Sequence, residues 1–401
     1  MADRRIKKEI GLKRMVEWKK LGDIMQIVRG ASPRPIKNYI TSEINGVNWI
    51  KIGDVEPGAK YITCSNEKIT KGGAEKSRYL HAGDFILSNS MSFGRPYILK
   101  IDGCIHDGWI AMSDYEKSVS SGYLYEILNS NFVQDYWKQK ANNGGAMSNL
   151  NSDIVKATII PVPSLSEQER IVGILDTFTA SIENLKEQIT QRRKQYEYYR
   201  DQLLDLEGKE GVEMKMLGDF CDTLSGFPFD SSQFRDEGIQ LMRGANIKRG
   251  YFDFSQELNK YWISSEGLEK YLLEPNDIII SMDGSLVGRS FCYLRSDHLP
   301  LLLVQRVARI RTKENYKYVY YNITKSFPDY VDKKKTAGAI PHISMKDINS
   351  FIIPVPPLSE QQRIVDILDK FEASIQNLES QLSQREKQYE YYRNKLLTFE
   401  D

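Results

Sequence analysis

The stretch Ile159-Ile160-Pro161-Val162-Pro163-Ser164-Leu165-Ser166-Glu167-Gln168 opens a segment that the chain uses twice. It returns as Ile352-Ile353-Pro354-Val355-Pro356-Pro357-Leu358-Ser359-Glu360-Gln361. Residues 159–204 and 352–397 align without a gap at an offset of 193, and 33 of the 46 positions are identical. Each copy leads from an extended, proline-rich strand end into a helix. Proline disfavours helix at the residue before it, so the helix starts only beyond the prolines. Ser166 with Glu169, and Ser359 with Gln362, have the spacing of a capping box.

Beyond the cap the apolar positions step by four and three. In the first copy they are Ile171, Leu175, Phe178, Ile182, Leu185 and Ile189, then Arg192, Tyr196, Tyr199 and Leu203. In the second they are Ile364, Leu368, Phe371, Ile375, Leu378 and Leu382, then Arg385, Tyr389, Tyr392 and Leu396. This is a heptad seam, broken once in each copy by arginine. A helix of about 40 residues at ~1.5 Å per residue extends about 60 Å and needs a partner for so narrow a stripe. The other copy is the nearest partner. The short connection after the first helix makes the pairing antiparallel, with the two modules in approximate two-fold relation. The expected organisation is a divergent module at 1–164, a long helix at 165–207, a second divergent module at 208–357 and a second long helix at 358–401.

The remaining sequence agrees only at landmarks. Leu21-Gly22-Asp23 matches Leu217-Gly218-Asp219, and Phe93-Gly94-Arg95 matches Val287-Gly288-Arg289. Short β-type runs at 47–52, 97–101, 240–242, 291–294 and 304–310, with helical stretches at 123–140 and 316–335, predict mixed α/β (α+β) modules. The loops between paired strands carry Ser88, Asn89, Ser90, Ser92 and Arg95, and Ser281, Asp283, Ser285 and Arg289. Such side chains read base edges and grip phosphates. A second basic surface follows the helices: Lys138, Lys140, Asn142 and Asn143 in one module, Lys333, Lys334, Lys335 and Thr336 in the other. Lys248 and Arg249 add a further pair, and His342 follows the second basic run. Lysines at a helix end or a Gly-Arg turn are often merely solvated; their matched placement raises the case for contact with nucleic acid.

The net charge of +1 announces no partner by itself. Four scattered cysteines suit reduced thiols in the cytoplasm, and the four histidines lack metal-ligand spacing. No apolar run is long enough to cross a membrane, and the first residues lack a signal-peptide core. Residues 284–290 lack the spacing and lysine of a phosphate loop. The acids near Lys333 stand too close for a nuclease set, and no methylation motif is found. The chain therefore reads as a binding protein, with catalysis expected elsewhere.

Two divergent modules, each followed by one near-identical helix that starts Pro-x-Pro-x-Leu-x-Glu-Gln, resemble the specificity subunit of type I restriction–modification systems. The Arg193-Lys194-Gln195-Tyr196 block and the 336–343 segment carry the same resemblance; at 144–149 the first module keeps only part of that segment. The resemblance implies that each module reads one half-site of a split, asymmetric double-stranded DNA target, with the helices as a spacer ruler. It implies two methylation subunits bringing S-adenosylmethionine and, in systems that cleave, two restriction subunits using ATP and Mg. No cofactor is expected on this chain itself. The blocks Tyr196/Tyr198/Tyr199 and Tyr389/Tyr391/Tyr392 exceed what one seam buries, with Tyr198 and Tyr391 off the stripe, and Tyr198, Tyr199, Tyr391 and Tyr392 are candidates for seating the methylation subunits. The alternatives are a restriction factor with its own nuclease or methylase activity, a subunit of a related fused methylase–nuclease system, and a scaffold that never touches DNA.

Overall fold

The computed structural model describes residues 16–56, 58–89, 93–142, 149–334 and 341–399. The chain divides into two compact units, residues 1–186 with 380–401, and residues 187–379. Each unit therefore holds one module and part of each long helix.

Each unit is tied at its base by a two-stranded antiparallel ribbon. Val16–Lys20 pairs with Ile159–Pro163 in the first unit, and Glu213–Met216 with Ile352–Val355 in the second. This explains the Leu-Gly-Asp landmark. Leu21 and Leu217 are fully buried, and their N–H groups donate to Thr158 O and Phe351 O. A Cβ at Gly22 or Gly218 would sit 3.0 Å from Lys156 or 2.9 Å from Asn349.

The first module has two five-stranded sheets. One runs Gln26–Arg29, Trp109–Ser113, Phe85–Ser88, Pro96–Leu99, Tyr61–Ile62. The other runs Ile40–Thr41, Glu67–Ile69, Val47–Ile50, Gly103–Ile105, Arg78–Leu80. The second module repeats the plan with fewer strands. Cys221–Ser225, Val307–Thr312, Ile278–Ser281 and Phe291–Tyr293 form one sheet. Tyr261–Trp262, Ile239–Met242 and Leu301–Leu303 form the other. The central strands Phe85–Ser88 and Ile278–Ser281 are buried throughout, because helices or the other sheet cover both faces. The strands differ from the sequence reading mainly at their ends: the run at 304–310, for example, forms Val307–Thr312.

The helical stretch at 123–140 is two helices, Ser121–Leu128 and Asn131–Asn142. Asn129 Nδ2 donates to Tyr125 O and Ser130 Oγ to Ile127 O, and these side chains close the first helix against its own carbonyls. Its counterpart, Tyr316–Lys334, continues unbroken despite Pro328.

The long helices are Leu165–Leu203 and Leu358–Thr398. Their caps lie two residues earlier than the expected boxes. Ser164 receives the Glu167 N–H, and the Pro357 carbonyl receives those of Glu360 and Gln361. The buried device at each start is the glutamine. Gln168 Nε2 donates to Ser118 O and Pro163 O, and its Oε1 accepts from the Ser120 N–H. Gln361 Nε2 donates to Glu314 Oε2 and Pro356 O, and its Oε1 accepts from the Asn315 N–H. Tyr123 and Tyr318 complete the latch by donating to Pro161 O and Pro354 O.

Within each unit the two long helices run antiparallel. In the first, Phe178 stacks on Tyr392 at 5.4 Å, and Lys186 pairs with Glu386 at 3.5 Å. In the second, Tyr199 stacks on Phe371 at 5.4 Å, and Arg193 pairs with Glu379 at 2.5 Å. Ile171, Leu175, Ile182, Leu185, Ile189, Ile364 and Leu368 are buried, while Phe371, Ile375, Leu378 and Leu382 are half-buried. The arginines that break the stripe face aromatic rings: Arg192 lies 5.8 Å from the Phe371 centroid and Arg385 lies 5.7 Å from that of Phe178. The cation is accommodated by a ring face, so the helix pairing continues past it.

Candidate nucleic-acid interface

In each module one hydrogen-bonding frame gathers three loops. In the first, Gly94 donates to Ser88 O, and Ser88 donates to Arg95 O, which closes the loop after Phe85–Ser88. In the second, Ser281 donates to Ser290 O. The roots of these loops are held alike: Asn89 N–H to Gly108 O at 3.1 Å, and Met282 N–H to Arg306 O at 2.9 Å. From the other side, Leu150 N–H reaches Asn89 O, and Ile343 N–H reaches Met282 O. A third loop joins them. Gly30 donates to Trp109 O and Ala31 to Ile105 O; Gly226 donates to Val307 O and Phe227 to Leu303 O. Only glycine fits there, because a Cβ at Gly30 would lie 2.0 Å from His106 O and one at Gly226 would lie 2.3 Å from Val304 O.

The Gly-Arg landmark is a docking point for the module's helix. Gly94 and Gly288 have φ of +69° and +79°. A Cβ would stand 2.9 Å from the Trp137 ring and 2.6 Å from the Val331 Cβ, respectively. The helix end is thereby brought to the loop. Gln134 Nε2 donates to Gly94 O in the first module, and Arg289 grips Asp332 through two bonds of 3.1 and 2.6 Å in the second.

The sequence-selected residues fall into distinct groups on this frame. Arg95, Lys138, Lys140, Arg249, Ser285, Lys333 and Lys334 are exposed. Arg95 lies over the Tyr97 ring, Lys140 over Tyr136, and Lys138 pairs with Asp135. Lys248 is half-buried and lies 3.8 Å from Asp253. Asp283 and His342 form a backbone bridge, which joins the 281–289 loop to the segment after the helix. Ser88, Asn89 and Ser281 depart from the expectation of outward-facing readers. They are buried, Asn89 Nδ2 donates to Asp107 O, and Ser281 Oγ donates to Asp283 O. Ser88 and Ser281 end central strands and Asn89 follows one, so their polar groups satisfy nearby loop backbone. Arg289 is committed to Asp332 and is only partly exposed. Ser90, Ser92, Asn143, Lys335 and Thr336 lie outside the described residues, as does the side chain of Asn142.

The third loop and its turn hold residues that sequence reasoning passed over. In the first module Ser32 Oγ donates to Asp107 Oδ1 at 2.8 Å, Arg34 reaches Asp107 Oδ2 at 3.4 Å, and Arg29 Nε donates to Asp107 O at 3.0 Å. The Ser32 hydroxyl holds the Asp107 carboxyl below the usual carboxylate range. In the second module the same turn carries Gln305 and Arg306, both exposed. Their signal was Gly30 against Gly226, an offset of 196 rather than 193, which falls outside the ungapped repeat.

The model of the type I restriction modification DNA specificity domain matches this chain twice, over residues 15–192 and 209–385. The chain belongs to that family. Both matches run through a module and into the long helix behind it, so the family's repeat unit coincides with the repeat of this sequence. The specificity subunit of the Escherichia coli type I restriction enzyme EcoR124I/EcoR124II is 36% identical over 253 residues, which cover 60% of this chain and 61% of that subunit. The MjaIX specificity subunit of Methanocaldococcus jannaschii is 23% identical over 403 residues, 93% of this chain and 89% of that one. A chain from a type I R-M system, solved to explain complex assembly and conformational transition, shares the fold. Its TM-score is 0.69 at 19% identity, over 96% of this chain and 98% of the other.

Among the described residues no group of three or more His, Cys, Asp or Glu is placed to hold a metal ion, and no helix is long and apolar enough to cross a membrane. Of the four tyrosines, Tyr198 and Tyr391 are 62% and 58% exposed, and Tyr199 is 47% exposed although it stacks on Phe371. Tyr392 is buried against Phe178, which makes it a seam residue rather than an outward-facing one.

Proposed function

We propose that this chain is the non-catalytic, sequence-reading subunit of a type I restriction–modification complex in the cytoplasm. Each module binds one half-site of an asymmetric, bipartite double-stranded DNA target. Two methylation subunits dock on the long helices and carry S-adenosylmethionine. In a system that cleaves, two restriction subunits add ATP- and Mg-dependent translocation and cutting. The observation that carries this reading is the pair of matched loop frames. The backbone bonds that gather the loops are the same in both modules, whereas the side chains they present differ: Ser32, Arg34 and Asp107 against Gln305 and Arg306. One scaffold holding two different polar surfaces is what two different half-sites require. Exposed Tyr198 and Tyr391, at equivalent points of the two helices, support a symmetric docking role.

The test is methylome sequencing of cells with and without the gene. A split motif with two unlike halves should vanish on deletion; an unchanged methylome, or loss of a single contiguous motif, refutes the proposal. The helices are proposed to set the gap between the halves. Inserting one helical turn, about 6 Å, into each should lengthen the gap and leave both half-sites unchanged.

A further inference from the structure

Arg306 is the conspicuous residue of the second module's loop frame. It lies on the turn between Leu301–Leu303 and Val307–Thr312, and its carbonyl accepts the Met282 N–H at the root of the 281–289 loop. Its neighbour Gln305 donates its N–H to Phe227 O, which ties the same turn to the third loop. Arg306 therefore stands where all three loops meet.

Two observations set it apart. Its φ is +68°, in the left-handed region where a Cβ crowds the following carbonyl and where glycine or asparagine would be relaxed. Its side chain is exposed and has no hydrogen bond or ion pair to any described residue. The other arginines of this sheet and loop are neutralised: Arg289 by Asp332, Arg309 by Asp222, and Arg311 by Asp277 and Glu274. A charged residue held in an unfavourable backbone conformation, with no partner among the described residues, breaks a local rule without a structural return there. The planar guanidinium, with its fork of donors, matches the O6 and N7 acceptors of guanine in the major groove. At the equivalent turn the first module has Gly108 in the place of Arg306, with Asp107 beside it engaging Arg34 and Ser32, so that turn presents a different donor pattern.

We propose that Arg306 reads a guanine in the half-site bound by the second module, and that this turn is the variable base-reading point of the frame. The inference rests on the DNA-recognition reading above and names a specificity-determining residue within it. The experiment uses the complete complex with its methylation subunits, acting on a DNA library randomised across both half-sites, with methylation read by sequencing. Arg306→Gly is the informative variant, because it removes the side chain and relaxes the backbone. Its melting temperature should equal or exceed that of the parent. Preference for guanine at one position of the second half-site should fall roughly 10- to 100-fold, with the first half-site unchanged; Arg306→Ala should show the same specificity change. Retained guanine preference overturns the inference. So does a loss spread evenly over all sequences, which would mark a phosphate contact. A parent complex without any sequence preference would overturn the recognition reading itself, and this inference with it.

Discussion

Replacing Gln168 by leucine tests whether the latch at the head of the first long helix holds module and helix together. The side chain is fully buried, and its amide makes three hydrogen bonds, to Ser118 O, Pro163 O and the Ser120 N–H. Leucine keeps most of the volume, so little cavity forms and the loss is mainly polar. The Ser120 N–H loses its acceptor inside the protein, at a cost of about 1–3 kcal/mol. Two carbonyls lose donors, at roughly 0.5–1 kcal/mol each given their spare lone pairs. Gained apolar burial returns about 1 kcal/mol, leaving a net destabilisation of about 1–4 kcal/mol. For a unit of this size each kcal/mol lowers the melting temperature by ~2–4 °C. Urea and thermal unfolding followed by circular dichroism, parent against variant, give the number. Gln361→Leu repeats the test on Pro356 O, Glu314 and the Asn315 N–H. The two costs should add, because the latches share no partner. A loss below ~0.5 kcal/mol in both variants would refute the latch, since no buried N–H could then have been orphaned.

Further expectations concern packing, pH and salt. Gly288→Ala should cost about 2–4 kcal/mol, from a positive φ and a Cβ 2.6 Å from Val331. Gly94→Ala should cost less, because its nearest contact is the Trp137 ring at 2.9 Å; the reverse order in unfolding experiments would contradict the docking geometry. Burial raises the Glu126 pKa above its ordinary 4.5, and the Tyr389 hydroxyl, donating at 2.7 Å, offsets that only in part. A raised folded-state pKa means that stability is fully present below the unfolded value and is lost as pH rises through the folded value. Glu126→Gln keeps an acceptor for Tyr389 and should flatten that decline while matching or exceeding the parent's stability at pH 7. A steeper decline in the variant would sink this account. Lys333 and Lys334 are exposed at the helix end. If both meet phosphates, replacing them with alanine should lower the slope of log affinity against log salt by about 2, with unfolding unchanged. An unaltered slope would remove them from the interface.

The long helices were legible because their information is local. A heptad stripe read over residues 171–189 and 364–382 needs only its own spacing to show which side is buried. Even the exceptions, Arg192 and Arg385, are visible as breaks, although their solution on the rings of Phe371 and Phe178 is not. The candidate site was only half legible. Gly94-Arg95 and Gly288-Arg289 mark the loop on which the module's helix docks, yet Ser88 and Ser281 turn inward because each ends a central strand. Nothing in the one-dimensional pattern tells an outward serine from one that caps its own loop.

By itself, then, the sequence determined the duplicated plan: two divergent α/β modules, each bound to one copy of a helix that needs its twin. Heptad spacing, proline placement and the exact offset of the repeat suffice for that, since each acts over a few turns of chain. Tertiary structure alone decided which polar groups share a surface. Ser32 and Asp107 are 75 residues apart in sequence and 2.8 Å apart in space. The strands that bring them together are specified by burial and backbone pairing, and neither leaves a mark on the loop residues they carry. The same holds for Arg306, whose exposure and positive φ arise from the turn that two strands impose on it.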